Sequence, residues 1–299
     1  MIVSFHPCIK ADVNRIVAGR PAGPQEKSLI ERADAVILPQ GVREDLYRLC
    51  RHHCRWVFPN YDIRFQYPGK MGDVLLLRAL GTAHPRSFLF SSVAHYHRYF
   101  PPEEDGFPFP LPFVLKGNFG GEGRMVFKIC NRRELEAVLE ELRAMERSGL
   151  RGFVTQQWIN HGGRDLRVVV LYDKLFSYWR KQKNPGEFRT NLSRDAVIDP
   201  YSDPHLRQKA EETVRWFCRK TGANLAGIDL MFDEDDPSFQ PLLGEINYWF
   251  GRRFFGSSEV YYAELGKAVQ RWLAAIDPAW SKRLRCPAST TFLESDVEV

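Results

Sequence analysis

The sequence predicts an α/β protein whose larger part is built of α+β lobes, and three stretches carry that reading. Residues 1–60 alternate short apolar strands with helical segments, the pattern of a small parallel sheet. Residues 113–129 read as strand, glycine-rich loop and returning strand. Residues 223–251 read as a two-stranded hairpin around an acidic, proline-broken turn. With 299 residues, 44% of them hydrophobic, the chain can bury a sizeable core in two or three subdomains.

Composition narrows the function classes. No apolar run approaches the roughly 18–20 residues of a membrane span, and residues 1–15 lack the basic-then-apolar layout of a secretion leader. The six cysteines (Cys8, Cys50, Cys54, Cys130, Cys218, Cys286) show no disulfide-framework spacing, which suits the reducing cytoplasm. A net charge of +5 is compatible with anionic small ligands but too weak and diffuse for nucleic acid. Neither nucleic acid nor membrane is therefore expected as a partner, and homo-oligomerisation is left open.

Along the chain, strands are expected at 1–5, 35–38 and 56–58, with helices at 25–33 and 43–54 between them. Ligands of parallel sheets gather at the C-terminal strand ends, which makes His6, Asp12, Asn14 and Arg15 candidate substrate contacts. An ordinary polar loop would carry the same residues. Cys50 and Cys54 stand one helical turn apart, while His52 and His53 point elsewhere. Without a second cluster the stretch reads as a half-buried helix rather than a zinc site.

A helix opening at Tyr67-Pro68-Gly69-Lys70 should run to about residue 80, followed by an extended segment at 85–90 and a helix at 92–100. The proline-rich run 107–112 then delivers the chain into the strand at 113–116. Lys116 ends that strand and precedes a loop containing Gly117, Gly120, Gly121 and Gly123, with a return strand at 125–129. Backbone N–H groups of such a loop can close over phosphates, and a strand-end lysine can neutralise phosphate oxygens. A glycine-rich hairpin alone is also simply a hairpin. Asn131 should cap a helix over 132–148, with Glu134 at the capping-box position.

The extended run 152–159 can offer adenine one carbonyl and one N–H while Trp158 and Ile159 pack nearby. A loop at 161–167 leads into strands at 168–171 and 175–181; residues 187–191 form a polar loop, and a helix spans 204–221. In the hairpin that follows, Glu245 and Asn247 are two apart and share a face, and Asp229 on the partner strand can join them if the register allows. Two carboxylates and an amide oxygen make half a shell for Mg²⁺. The same three residues also suit a solvated strand edge, the commoner case.

Taken together, Lys116 with its glycine loop, Gln156-Gln157-Trp158-Ile159, Arg164-Asp165-Leu166-Arg167, Gly186-Glu187-Phe188-Arg189-Thr190-Asn191-Leu192, Gly227-Ile228-Asp229-Leu230 and Glu245-Ile246-Asn247 resemble the ATP-grasp superfamily in its ribosomal-protein glutamate ligase (RimK-like) branch. The likeness covers residues 67–256. It implies an ATP-grasp fold, with a small Rossmann-like domain at 1–66, an ATP-grasp domain at 67–276 (flap 113–129, C-terminal lobe 152–276) and a polar tail at 277–299. It implies ATP as cofactor and Mg²⁺ (or Mn²⁺) held by Asp229, Glu245 and Asn247. Lys70 and Lys116 match its phosphate-binding lysines, and Gln157 and Trp158 its adenine hinge. Asp165 falls at a ribose position, Arg189 and Asn191 at phosphate and metal-side positions.

Three departures qualify the likeness. Gln157 stands where the family usually has glutamate; Asp195-Ala196 replaces paired glycines; and Tyr248-Trp249-Phe250-Gly251-Arg252-Arg253 replaces a small-residue, proline-containing turn on the acceptor side. The last change points to an unusual substrate: Arg252 and Arg253 suit an anion, and the three aromatics suit an apolar body or simple packing. The activity implied is a carboxylate–amine ligase working through an acyl phosphate, releasing ADP and phosphate, with Lys116 and Arg189 countering transition-state charge. Its acceptor is expected to be an amino acid, a peptide or a protein terminus. A phosphotransferase and a non-catalytic ATP binder are the competing readings.

Overall fold

Four short apolar segments assemble the first sheet. In the computed structural model, which describes residues 1–102, 106–120, 124–183, 190 and 196–285, β1 (Ile2–Ser4) pairs in parallel with β2 (Val13–Asn14) and with β3 (Ala35–Ile37), and β3 with β4 (Trp56–Phe58). Helices α1 (Pro24–Glu31) and α2 (Glu44–His53) make the crossovers that parallel pairing requires. The expected strands and helices of this region are present. The two-residue β2 and α3 (Asp62–Gln66) are too short to show periodicity.

Next come α4 (Gly69–Leu80), β5 (Ser87–Phe90) and α5 (Val93–His97). α5 is shorter than expected; the dipeptide Pro101-Pro102 bars helix before it. Then β6 (Phe113–Gly117), β7 (Val126–Ile129), α6 (Arg132–Arg147) and β8 (Phe153–Gln157) complete a second, antiparallel sheet of order β5-β8-β6-β7. α6 starts where Asn131 Oδ1 accepts the Glu134 amide at 2.9 Å. The Glu134 carboxylate reaches back to the Cys130 N–H at 2.8 Å, one residue beyond an ordinary capping box. Leu135, Val138, Leu139 and Leu142 recur at helical spacing and bury the same face against Phe113, Ile129 and Phe153.

The third sheet contains β9 (Arg164–Leu171), β10 (Lys174–Lys181), β11 (Val197–Asp199), β12 (Leu225–Met231) and β13 (Leu242–Asn247), in the order β11-β10-β9-β12-β13. Helix α7 (Pro204–Thr221) covers one face, where Leu206, Ala210, Val214 and Phe217 meet Val168, Trp179, Ile228 and Leu230. Each fully buried large apolar side chain there contributes roughly 1.5–3 kcal/mol. Helix α8 (Ser258–Ile276), which the sequence reading passed over, lies in a core shared by the first and third sheets through Leu265, Val269 and Leu273. Its position ties the small parallel sheet to the lobe carrying β12 and β13.

One expectation is corrected with consequences for the site. β9 begins at Arg164, four residues before the expected strand start, so Asp165 and Arg167 are strand residues rather than loop residues. Their side chains face away from the α7 core, on the same side as Asp229.

Candidate active site

The register of β12 and β13 sets the acidic cluster. Asp229 stands directly opposite Glu245, and Gly227 opposite Asn247. Directly paired residues share a face, so the two carboxylates and the amide lie on one side of the sheet. A bulge after Asp229 leaves Gly244 as the extra residue, and a Cβ there would come within 3.0 Å of Met231 Cε. Among the described residues no three His, Cys, Asp or Glu side chains converge as a metal cage; the third oxygen donor here belongs to Asn247.

The same face carries two arginines to which the sequence reading assigned no role. Arg167 stands opposite Asp229 on β9, and Arg180 opposite Asp165 on β10. Arg167 grips both Asp229 oxygens, through a short Nε contact to Oδ1 and Nη2 at 2.8 Å from Oδ2. Arg180 grips both Asp165 oxygens, Nε at 2.8 Å and Nη2 closer still, and its Nη2 also lies 3.0 Å from Asp229. Asn247 Nδ2 donates to Asp229 Oδ2 at 3.0 Å. All four charged side chains are nearly buried. Burial alone would raise the Asp229 pKa, but Arg167 and Arg180 outweigh it and hold the carboxyl below its ordinary value. Burial pulls Arg180 down, and Asp165 and Asp229 more than reverse that. Asp165, matched above to a ribose position, thus presents a carboxylate already held by Arg180.

Two lysines approach from the second sheet and α4. Lys70, in the first turn of α4, is buried; its Nζ donates to the Gly120 carbonyl at 2.9 Å and lies 3.5 Å from Glu245 Oε1. Lys116, near the end of β6, is half-buried, and desolvation pulls its pKa down while Glu245 opposes the shift. Asp73, also on α4, accepts the Ile246 N–H at 3.2 Å; burial, and next Glu245, push its carboxyl well above the carboxylate range. The start of α4 is held against the flap by the Lys70 amide on Asn118 O and the Met71 amide on Asn118 Oδ1, both 3.0 Å.

A Cβ on Gly69 would meet Asn118 at 2.5–2.8 Å, and Gly72 lets the helix start close on the preceding turn, because a Cβ there would lie 2.2–2.3 Å from the backbone carbonyl of Tyr67. We therefore expect Gly72→Ala to cost about 1–3 kcal/mol and to raise the KM for ATP by shifting Lys70. Thermal unfolding and ATP titration of the variant check both effects; unchanged values would show that the helix start yields freely.

Lys70, Lys116, Gln157, Trp158, Ile159, Asp165, Asp229 and Glu245 all line one open cleft of about 110 Å³, with His161, Arg180 and Thr190. Gln157 at the end of β8 is fastened twice to Arg86, its N–H to the Arg86 carbonyl and its Oε1 to the guanidinium, each at 2.8 Å. Lys128 of β7 lies 4.0 Å above the Trp158 ring, bringing the flap strand over the hinge. Gly120 is placed beside Lys70, whereas Gly121, Gly123, Arg189, Asn191 and the tail beyond residue 285 lie outside the described residues.

The candidate contacts in the first sheet divide. Asp12 accepts the Ile2 N–H and pairs with Arg283, Asn14 bonds the backbone of Ala11, and Arg15 pairs with Glu26, so these three serve the fold. His6 instead lines a second cavity of about 270 Å³ together with Gln40, Trp249, Arg252 and Tyr261. Nδ1 of His6 accepts the amides of Cys8 and Ile9, which places the ring hydrogen of the neutral form on Nε2. Burial, then Arg252, lowers its pKa from 6.5 to about 4. Because the folded value lies below the unfolded one, the unfolded chain takes up the proton first. This stabilisation is complete above about pH 6.5 and lost as pH falls toward 4, about 3 kcal/mol in all. We expect His6→Asn to flatten that acid limb; denaturant midpoints at about pH 5 and about pH 7.5 measure it, and an unchanged pH slope would overturn the assignment.

Of the loop after β13, Phe250 is buried packing, Tyr248 packs edge-on to Tyr61 at 5.5 Å, and Trp249 is 70% exposed. No helix of the described residues is long and apolar enough to cross a membrane.

With this geometry in view, comparison with known proteins gives one answer. A solved structure of a RimK domain ATP-grasp protein from Sphaerobacter thermophilus superposes with TM-score 0.52 at 16% identity, covering 74% of this chain and 75% of that one. The N5-carboxyaminoimidazole ribonucleotide synthetase of Thermotoga maritima gives TM-score 0.59 at 13% identity over 98% of this chain and 71% of its own. Both share the fold. In sequence, a probable alpha-L-glutamate ligase of Hahella chejuensis is 29% identical over 137 residues, 46% of this chain and 42% of that protein. The chain therefore spans less than half the length of the curated relatives it matches. The family profile described as RimK-like ATP-grasp domain matches residues 84–251, more than half of the chain, and the protein belongs to that family.

Proposed function

We propose that the protein is an ATP-dependent carboxylate–amine ligase that activates an acid as its acyl phosphate and releases ADP and phosphate. The observation that carries this reading is the meeting of Lys70 and Lys116 with Asp229 and Glu245 across one cleft, with Asn247 on the same sheet face beside Asp229. The matched relatives named as glutamate ligases, and a structural neighbour named as an L-amino acid ligase, support the class of reaction.

The donor set fits a divalent ion. Glu245 meets only Lys70 among the described residues, and Asp229 Oδ1 accepts a single hydrogen bond. Hard oxygens of this kind suit Mg²⁺. A magnesium ion held there would act as a Lewis acid toward phosphate oxygens. The remaining work falls to the chain. Lys70 and Lys116 neutralise the phosphates of ATP, and the hinge at residues 157–159 holds the adenine. Arg167 and Arg180 keep Asp229 ionised and fixed in direction. The strands β6 and β7 wall one side of the cleft through Val114, Lys116 and Val126, which limits access of the water that would hydrolyse an acyl phosphate. We place this reaction in the cytoplasm, in keeping with the five free thiols among the described residues.

The test is ATP consumption with a pooled panel of carboxylic acids and hydroxylamine, reading ADP, AMP and hydroxamates by mass. ADP with a hydroxamate supports the ligase half-reaction and names the acid. AMP overturns the mechanism, and ADP with a stable phosphorylated product marks a phosphotransferase.

A further inference from the structure

The second cavity shares no lining residue with the cleft above, and its lining is chemically one-sided. It lies at the C-terminal ends of β1 and β3, closed by the loop after β13 and by α8. Apolar and aromatic side chains such as Phe5, Val17, Leu46 and Tyr262 make most of its wall, and among the described residues no aspartate or glutamate lines it. Trp249 lies across Gly41 so closely that a Cβ there would come 2.0 Å from the indole. A bare glycine thus lets a large, exposed aromatic ring form part of the wall.

Three arginines line this cavity. Arg20 is paired with Glu26 and Arg43 with Asp45. Arg252 meets no carboxylate among the described residues; its guanidinium rests over Tyr261 and Tyr262 at 5.0 and 4.6 Å, with Ser258 Oγ at 3.5 Å. Two further lining residues carry buried polar atoms without a hydrogen-bond partner, Gln40 Nε2 and the Tyr261 hydroxyl. Gln40 is 6% exposed and Tyr261 0%. A neutral His6 adds an Nε2–H. Both atoms are closed off from solvent, so the donors that the cavity itself presents are the Arg252 guanidinium and, beside it, His6.

We propose that this cavity binds one of the two organic substrates, a monocarboxylic acid with an apolar or aromatic body and no second charge. The carboxylate takes the guanidinium fork of Arg252, and the body lies against Trp249 and the apolar wall. An amino dicarboxylate such as glutamate would bring an ammonium for which the cavity offers no acidic partner. The substrate role rests on the ligase reading; the binding itself does not.

Calorimetry on the full chain without ATP, using 3-phenylpropionate, 3-phenylpropionamide and glutamate, tests this. Phenylpropionate should bind, and better than its neutral amide by about ten- to a hundredfold. Arg252→Gln should abolish that preference. Arg252→Lys, which keeps the charge and loses the planar fork, should reduce it. Glutamate binding more tightly than phenylpropionate, absence of phenylpropionate binding, or an undiminished acid preference in both variants would overturn the proposal. Acid-selective binding with no ADP release in the hydroxylamine assay would leave the cavity assignment standing and remove the ligase reading. ADP and a hydroxamate from glutamate without phenylpropionate binding would do the reverse.

Discussion

Glu245→Gln is expected to lower ATP turnover by about 10²–10³-fold while leaving the fold intact. The side chain is one-third exposed, and its ionic partner among the described residues is Lys70 at 3.5 Å, so stability should change by less than about 1 kcal/mol. The loss has two sources in the geometry. Glu245 supplies one of three co-facial oxygen donors, so the Mg²⁺ concentration for half-maximal rate should rise. It also opposes the burial that pulls Lys116 down. Without that carboxylate Lys116 loses its proton at lower pH, and the alkaline limb of the pH–rate profile should move toward neutrality. Steady-state kinetics across Mg²⁺ and pH, with thermal unfolding as the folding control, read all three effects. Full activity with unchanged Mg²⁺ dependence would remove Glu245, and the metal reading with it, from the site.

What could be read in the sequence, and what could not, follows from the range of the interactions involved. The hairpin of β12 and β13 was legible because its cue is local: alternation with period two puts Glu245 and Asn247 on one face whatever the partner strand does. Asn131 at the start of α6 was legible for the same reason. Arg180 was not, since its role depends on the β9–β10 register, and its stretch, Trp179-Arg180-Lys181, reads only as a polar strand end. Arg167 sat inside a quoted motif without a role, because placing β9 four residues late left it in a loop. Asp12, Asn14 and Arg15 lie where a substrate contact would be sought, yet their partners are Ile2, Ala11 and Glu26. Whether a polar residue near a strand end faces a ligand or its own loop is decided by neighbours up to tens of residues away. The second cavity is the extreme case, built from residues 5–46 and 249–262, whose meeting depends on α8.

The buried quartet of Asp165, Arg167, Arg180 and Asp229 makes the second large prediction, and its asymmetry is the informative part. Arg180 holds Asp165 and also reaches Asp229, while Asp165 has Arg180 as its one ionic partner among the described residues. Arg180→Met should therefore strand a buried carboxylate and cost about 3–5 kcal/mol, a fall in Tm on the order of 10 °C. Asp165→Leu leaves Arg180 paired with Asp229 and should cost less, about 1–2 kcal/mol. Combining the two should recover much of the loss, since an apolar pair in place of a buried ion pair is often close to neutral. Tm values of the four proteins form the cycle, and additive losses or equal single costs would show that the pair is not coupled as drawn. ATP affinity then separates structure from function. If Asp165 meets the ribose, the comparatively stable Asp165→Leu should still lose nucleotide affinity, and the double variant should regain stability without regaining affinity. If the carboxylate serves only to fix Arg180 beside Asp229, nucleotide affinity should instead follow stability through the series. The four charges would then act on ATP through the direction in which Asp229 is held.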